Sequence, residues 1–280
     1  MITKQKLDEK EPIIREAIEE VFDRAKRNQF INNDYIVFLA NGSFEQRLVG
    51  NVQKLSPYVI DSQEDKYKDL DRIIFYVDYL NSNPALILDR LPEESKDRHV
   101  KFYTSMEMMI YAHLWESTQY LKILHNLATL IDRQKYNWKS PVNQHTNRQQ
   151  FIRSQREVFN RYGLKIADLI TQSYHSQIRN AFAHSDYSYG MGSFESDILL
   201  WNYEEKHSSR HLKGLSLEEW NERFAISVSL THYIFEKINL ERRNLGANRF
   251  TIMHPNYYQG DRLKPVDIEY SPERDYFRFV

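Results

Sequence analysis

Apolar residues recur at three- and four-residue intervals early in this chain, the spacing that gathers side chains on one face of a helix. The pattern predicts a helix over residues 11–28, with Pro12 in its first turn, where a proline is tolerated. The segment from Ser43 to Gln46 has the form of a capping box, whose side chains bond the free amides of a first helical turn. It predicts a second helix, ending near Leu55.

A third helix is predicted over 65–81, where Asn83–Pro84 ends the pattern. Residues 35–39 are apolar but too few to assign. The segment 84–101 combines two prolines with mixed charges, which is typical of a linker. We therefore predict that residues 1–100 form a helical N-terminal region and that a domain boundary follows it.

The middle of the chain contains the longest helical patterns. A capping box beginning at Thr104 and a near-heptad apolar stripe predict one continuous helix over 104–132. A second pattern covers 148–183, with a break expected at Gly163. A last helix is predicted from Ser216 onward, where apolar residues again recur at helical spacing.

Two segments favour strands instead. Gly190 and Gly192 mark a turn before residues 197–203, whose apolar run predicts a small β-hairpin inserted between helices. Residues 266–280 alternate between apolar and polar side chains and predict a terminal hairpin. The expected fold is thus mainly α: a helical bundle over 101–245 with a hairpin insertion, followed by a short β extension over 246–280.

Composition limits the classes of protein to which the chain can belong. With 280 residues, of which 41% are hydrophobic, the chain can bury a large core. There is no cysteine, which excludes disulfides, thiolate metal sites and cysteine nucleophiles. A charged N-terminus and the absence of a long apolar run predict a cytoplasmic protein without a membrane span. The formal net charge of −1 means that any nucleic-acid interface must be a local basic patch.

The segment from Arg179 to His184 carries the clearest chemistry. Arginine stays protonated at any working pH and offers a fork of donors that suits phosphate, whereas histidine titrates near neutrality and can transfer protons. Asn180 and His184 are four residues apart and share a helical face, so the amide can orient the ring. Arg179 lies about 140° round the helix from His184, so their convergence requires a helix end or a second subunit.

This segment resembles the motif of the HEPN family of nucleotide-binding and ribonuclease domains. In that motif an arginine, a polar residue and then a histidine follow one another late in a helical domain. The matching residues are Arg179, Asn180 and His184, and the likeness extends over residues 100–240 through the helical context. Toxins of this family carry a tyrosine two positions after the histidine, whereas here Asp186 takes that position and Tyr187 follows. The resemblance implies a HEPN-like helical bundle that cleaves RNA without a metal or other cofactor and that acts as a homodimer.

Other side chains near the motif are candidates for contact with a substrate. HEPN members often present a polar group from an early helix, and Glu107, His113 and Glu116 are the candidates here. His175 precedes Arg179 by four residues and is predicted either to flank the same face or to lie on the surface. Each of these residues has the alternative of belonging to a solvated face.

Basic and aromatic residues offer a possible RNA-binding surface. Arg148, Arg153 and Arg156 precede the motif and are candidates for guiding a phosphate backbone, although charged runs on helices commonly form plain solvated faces. Tyr187 is a candidate for stacking on a base, with burial in the core as the alternative. A second basic group comprises Arg242, Arg243 and Arg249. His207 and His211 lack a third ligand at useful spacing, so no metal site is assigned.

These observations leave three hypotheses for function. The first is a metal-independent endoribonuclease with Arg179, Asn180 and His184 as catalytic residues, which the resemblance associates with prokaryotic toxins, phage defence and antitoxin or defence partners. The second is a HEPN-like module that binds RNA or a nucleotide, or scaffolds a partner, without cleavage. In the third, an unrelated helical bundle contains the motif by chance: the arginine pairs at a helix end and the histidine is buried.

Overall fold

The computed structural model describes residues 4–49, 56–62, 75–76, 78–79, 81–82, 84–144, 147–190, 196–206 and 210–280. Helices predominate in them and the strands form small antiparallel sheets, which confirms the prediction of a mainly α protein. No helix in these ranges is long and apolar enough to cross a lipid bilayer.

The chain divides into two compact units, each assembled from three separate segments. Unit 1 comprises Met1–Glu16, Leu70–Ser117 and Ile166–His232, and unit 2 comprises Ala17–Asp69, Thr118–Lys165 and Tyr233–Val280. The units therefore alternate along the sequence, whereas the regions predicted from composition follow one another.

Helix α1 covers Lys4–Asn28 and begins before the predicted start at residue 11. Pro12 consequently lies inside the helix, where it has no N–H to donate to the carbonyl of Asp8. Both residues are exposed, so water can bond to that carbonyl. The apolar face of the predicted amphipathic helix is buried along its length, at Ile14, Ala17, Ile18, Val21 and Phe22.

The capping box at Ser43 was a wrong prediction, because its side chains are engaged elsewhere in unit 2. Strand β1, Ser43–Phe44, pairs antiparallel with β2, Tyr58–Val59. The Ser43 hydroxyl accepts from Lys122 Nζ, and the Glu45 carboxylate accepts from the Ser62 hydroxyl at 2.6 Å. Gln46–Leu48 forms only a 3₁₀ turn, and residues 50–55 of the predicted helix lie outside the described residues.

Two further N-terminal segments contain helical residues. The unassigned residues 35–39 belong to helix α2, Asp34–Leu39, in which every residue is buried. Most of the helix predicted over 65–81 lies outside the described residues, although 75–76, 78–79 and 81 are helical.

The predicted linker over 84–101 is helical instead. Helix α3 covers Pro84–Asp89 and helix α4 covers Glu93–Glu116, with Pro92 at its N-cap and two acidic residues in its first turn, where they favour helix formation. The single helix predicted over 104–132 is therefore wrong at its start. It is also interrupted at Ser117, whose ψ of 117° takes the chain out of the helix before α5, Thr118–Ile131.

The helical pattern over 148–183 comprises three helices: α6, Arg148–Arg161; α7, Ile166–Ser173; and α8, Ser176–His184. The predicted break at Gly163 is confirmed, since this residue has a φ of 65°, a conformation that glycine adopts without strain. The second break was not predicted. There, the Tyr111 hydroxyl donates to the Ser173 carbonyl at 3.0 Å and accepts from the His175 N–H at 3.0 Å, so a side chain replaces helical bonds.

The hairpin insertion is confirmed and gains a third strand. Strand β3, Tyr187–Tyr189, pairs with β4, Ile198–Leu200, which pairs with β5, Gly214–Leu215. Gly214 lies so close to the Ile198 carbonyl that a Cβ would collide with it, which explains the glycine. Gly192, the second glycine of the predicted turn, lies outside the described residues.

Helix α9, Leu217–Asn244, begins where it was predicted, and a capping box closes its start. The Ser216 hydroxyl accepts from the Glu219 N–H at 3.1 Å, and the Glu219 carboxylate accepts from the Ser216 N–H at 2.8 Å. The C-terminal sheet contains the predicted hairpin, formed by β7, Arg262–Ser271, and β8, Tyr276–Phe279. An additional strand, β6, Arg249–Asn256, pairs with β7 along its whole length.

A buried guanidinium joins several segments of unit 2. Arg242 is almost fully buried and binds the Asp61 carboxylate through two nitrogens, at 2.8 and 3.2 Å. It also donates to the Asp275 carboxylate at 2.8 Å and to the Leu39 carbonyl at 2.9 Å. Arg242 therefore holds segments of the interior of unit 2 together and is not part of a basic surface.

Candidate active site

Helix α8 positions the motif in unit 1. Arg179 Nη1 lies 2.6 Å from Glu116 Oε1, at the end of α4, so the structure brings together a motif residue and one of the predicted polar groups. The Arg179 side chain is 17% exposed and that of Glu116 is 37% exposed, so the pair lies at the edge of solvent. The carboxylate fixes the direction of the guanidinium while leaving part of it accessible.

His184 is the last residue of α8 and is exposed to solvent. Ser185 follows with a φ of 59°, and the N–H groups of Asp186 and Ser185 donate to the carbonyls of Ala181 and Phe182 at 2.8 and 3.4 Å. These bonds close the helix in a Schellman arrangement. The alternative that His184 is buried is therefore wrong. The alternative that Arg179 forms an ion pair is confirmed by its contact with Glu116.

Asn180 and Tyr187 flank the histidine in sequence. Asn180 is half-buried on α8, one helical turn before His184, as its spacing predicts. Tyr187 is half-buried at the start of β3, and its ring centroid lies 5.3 Å from that of Phe182. The ring of Tyr187 therefore packs partly against the protein, and its stacking on a base stays a prediction.

Glu107 is fully buried and does not present its carboxylate at the surface. Its two oxygens accept from the Tyr79 hydroxyl at 2.7 Å and the Trp220 indole N–H at 2.8 Å. The role of Glu107 is therefore in the core of unit 1. His113 is exposed on α4.

His175 is the N-cap residue of α8 and is half-buried, so it is less exposed than a surface position implies. The cause is the bond from its N–H to the Tyr111 hydroxyl, which draws the backbone toward α4. Burial, the positive charge of Arg223 and His211 lower the pKa of His175 to about 4. His175 is consequently neutral at physiological pH and can donate or accept a hydrogen bond without carrying charge.

The depressed pKa of His175 predicts a pH-dependent stability. Between pH 6.5 and about 4 the unfolded chain binds a proton at this residue and the folded chain does not, so the free energy of unfolding falls as the pH is lowered through this range. After allowance for partial exposure, we expect a loss of roughly 1–2 kcal/mol. Urea unfolding at pH 7 and 4.5 measures it. His175→Gln should reduce the difference between the two pH values, and an unchanged difference would contradict the assignment.

The three arginines proposed to guide RNA belong to helix α6 of unit 2. Arg148 Nη1 donates to the Val142 carbonyl at 2.7 Å, and Arg153 pairs with Glu157 at 2.8 Å on the exposed face of the helix. Arg156 is half-buried. The guanidinium groups of Arg148 and Arg153 therefore already have protein acceptors.

Arg223 is a residue that the sequence did not single out. From α9, its Nη1 donates to the Ser173 carbonyl at 3.3 Å, just before the His175 cap. His211, considered only as a metal ligand, has its ring centroid 6.0 Å from that of His175. No spacing rule links residues 175, 211 and 223, because each lies on a different element. His207 lies outside the described residues, and no cluster of three or more potential metal ligands occurs within the described ranges.

Comparison of the chain with protein-family models, with curated proteins and with solved structures gives no match.

Proposed function

We propose that this chain is a metal-independent endoribonuclease of HEPN type, in which His184 and Arg179 are the catalytic residues. The observation that carries the proposal is the pairing of Arg179 with Glu116 at the edge of solvent, on the same helix whose last residue is an exposed histidine. The helix thereby offers an oriented phosphate-binding group and a group that can transfer protons.

The proposed reaction is transesterification within RNA. The 2′-oxygen attacks the adjacent phosphorus and loses its proton as the bond to the 5′-oxygen breaks and that oxygen gains one. The products are a 2′,3′-cyclic phosphate and a free 5′-hydroxyl. His184 takes part in proton transfer, Arg179 stabilises the charge that gathers on the phosphate oxygens, and Asn180 holds the imidazole in position. No metal is required, because the substrate supplies the nucleophile and the arginine meets the charge.

A homodimer would complete this site. Arg179 and His184 lie about 140° apart round a regular helix, so one side chain of each subunit can serve the other across a two-fold axis. The proposal therefore includes a composite site with Arg179 from one protomer and His184 from its partner.

The composite site can be tested by mixing inactive variants. If Arg179→Ala and His184→Ala chains are co-expressed, half of randomly formed dimers are mixed and each mixed dimer has one complete site, so about a quarter of wild-type activity should return. Each variant expressed alone should remain inactive. Sedimentation velocity at micromolar concentration checks that dimers form; a monomer, or mixed dimers without activity, would contradict the composite site.

The resemblance also suggests a biological setting. Ribonucleases of this type act in the cytoplasm of prokaryotes as toxins or in phage defence, and an antitoxin or defence partner would then restrain or trigger the enzyme. Asp186 occupies the position of the toxin tyrosine, so any regulation of this chain would not act through a tyrosine at that position.

A second candidate is a module that binds RNA or a nucleotide without cleaving it. The carboxylate that orients Arg179 also offsets part of its positive charge, which leaves less charge for stabilising a transition state and is the observation in favour of this candidate. The experiment that separates the two functions is an RNA cleavage assay in excess chelator, with the parent chain compared with His184→Ala. Cleavage by the parent alone supports the enzyme, whereas binding of RNA without cleavage supports the module.

A further inference from the structure

A group of basic residues in unit 1, which we call the basic cluster, surrounds the start of helix α8. It comprises His175 at the N-cap, Arg179 one turn later, His211 ahead of β5, and Arg223 on α9. The rings of His175 and His211 lie 6.0 Å apart, and Arg223 reaches the Ser173 carbonyl at 3.3 Å. The Tyr111 hydroxyl donates to the same carbonyl and accepts from the His175 N–H, which ties Arg223 and His175 to one point of the fold.

The positive charge of the basic cluster is only partly balanced by the protein. Glu116 pairs with Arg179, but among the described residues no carboxylate forms an ion pair with Arg223, whose Nη1 bonds a neutral carbonyl. The charges of Arg223 and Arg179 both act on the Tyr111 hydroxyl, and positive charges around one point favour a bound anion. Burial is the main cause of the low pKa of His175, and the positive charge of Arg223 and His211 lowers it further.

Several donors of the basic cluster are also unused. Arg179 Nε, Arg223 Nε and His175 Nδ1 are buried and make no hydrogen bond within the described part of the chain. Buried polar nitrogens are rarely left without partners, so each such atom requires an explanation. A bound acceptor that displaces the side chains around these nitrogens would give them partners.

We propose that His175, His211 and Arg223 form a second phosphate-binding subsite beside Arg179. Phosphate matches the donors on chemical grounds, since guanidinium groups bind its oxygens through charge-assisted hydrogen bonds and a neutral imidazole adds a further donor. His175 precedes Arg179 by four residues, about 6 Å along a helix axis, so the subsite holds a phosphate next to the one that Arg179 contacts. That this phosphate belongs to an RNA strand rests on the proposed function.

The first experiment measures binding of a fully 2′-O-methylated RNA, which lacks the nucleophile and cannot be cleaved. Fluorescence anisotropy at neutral pH is compared for the parent, Arg223→Gln, His211→Gln and Arg210→Gln. Arg210 is the matched control, because it is exposed, pairs with Glu204 at 3.3 Å and lies next to His211 in sequence. Circular dichroism and the melting temperature of each variant confirm that it is folded.

Arg223→Gln should weaken RNA binding at least about ten-fold, as expected for loss of a hydrogen bond between charged groups. It should also lower the slope of log affinity against log salt by about 0.7, the value for one phosphate contact on a single strand. His211→Gln, at an exposed position, should weaken binding without unfolding the protein. Equal losses in Arg223→Gln and Arg210→Gln would reveal only general electrostatics and would overturn the subsite, as would unchanged binding in both Arg223→Gln and His211→Gln.

The second experiment uses inorganic phosphate and does not depend on RNA. Phosphate, compared with chloride at equal ionic strength, should raise the pKa of His175 followed by NMR, and Arg223→Gln should abolish the effect. A rise without RNA cleavage would keep the subsite and reject the ribonuclease. Cleavage of RNA with no response of His175 to phosphate would keep the ribonuclease and reject the subsite.

Discussion

Replacement of His184 by alanine is expected to lower the rate of RNA cleavage by ~10²–10⁴, the usual cost of losing a group that transfers protons. Arg179→Ala should cause a loss of ~10²–10³, because the charge that develops on the phosphate oxygens would no longer be met by a positioned donor. Both losses should appear at saturating RNA, since they concern the transition state rather than binding. Activity of the parent should persist in excess chelator.

The controls for this prediction are exposed residues of the same two types in the same unit. His232→Ala and Arg210→Ala remove an imidazole and a guanidinium at exposed positions and should leave cleavage within about two-fold of the parent, as is usual for surface changes. Single-turnover rates on one RNA of defined sequence give the measurement. Full activity in either motif variant, or complete loss of the parent's activity in chelator, would reject the mechanism.

Replacement of Arg242 by methionine is expected to lower the free energy of unfolding by about 3–5 kcal/mol, the range found when one partner of a buried ion pair is removed. Methionine retains much of the volume of the side chain but none of its donors. The Asp61 carboxylate, whose side chain is only 10% exposed, would then lose both of its guanidinium bonds. Urea unfolding at constant pH measures the change.

Two comparisons identify the source of this loss. Arg249→Met removes an exposed arginine of the same unit, with a side chain 68% exposed and a distant partner in Glu269 at 3.8 Å, and should cost less than about 1 kcal/mol. Adding Asp61→Asn to Arg242→Met should recover part of the stability, because the uncompensated charge disappears. A double variant that is less stable than Arg242→Met would argue that Asp61 stabilises the fold independently of the arginine.

The sequence patterns predicted correctly those elements that depend on contacts between residues close together in the sequence. The sequences at Ser43 and Ser216 both fit a capping box, yet only Ser216 caps a helix. The difference lies in distant partners: Lys122 binds the Ser43 hydroxyl, and Ser62 binds the carboxylate of Glu45. These residues are far from Ser43 in sequence, so no window of sequence around it contains the competing bonds.

The candidate site likewise contains residues that the sequence identified and residues that only the folded structure brings near them. Arg179, Asn180 and His184 lie on one short helix, so their spacing alone identified them and gave their relative directions. Glu116 was one of several polar candidates on α4, and only the 2.6 Å contact distinguishes it from Glu107, which faces the core. Arg223 was missed because its nearness to His175 depends on the contacts that Tyr111 and Ser173 make between helices.

The alternation of the two units along the chain has a consequence for the order of events during synthesis. The last segment of unit 1 is residues 166–232, and that of unit 2 is residues 233–280. Neither unit can therefore fold completely while only the first half of the chain has left the ribosome. Contacts between distant segments form slowly, because a long loop must first be closed. We therefore expect the nascent chain to expose apolar helical faces until late in translation and to depend on chaperones during that interval.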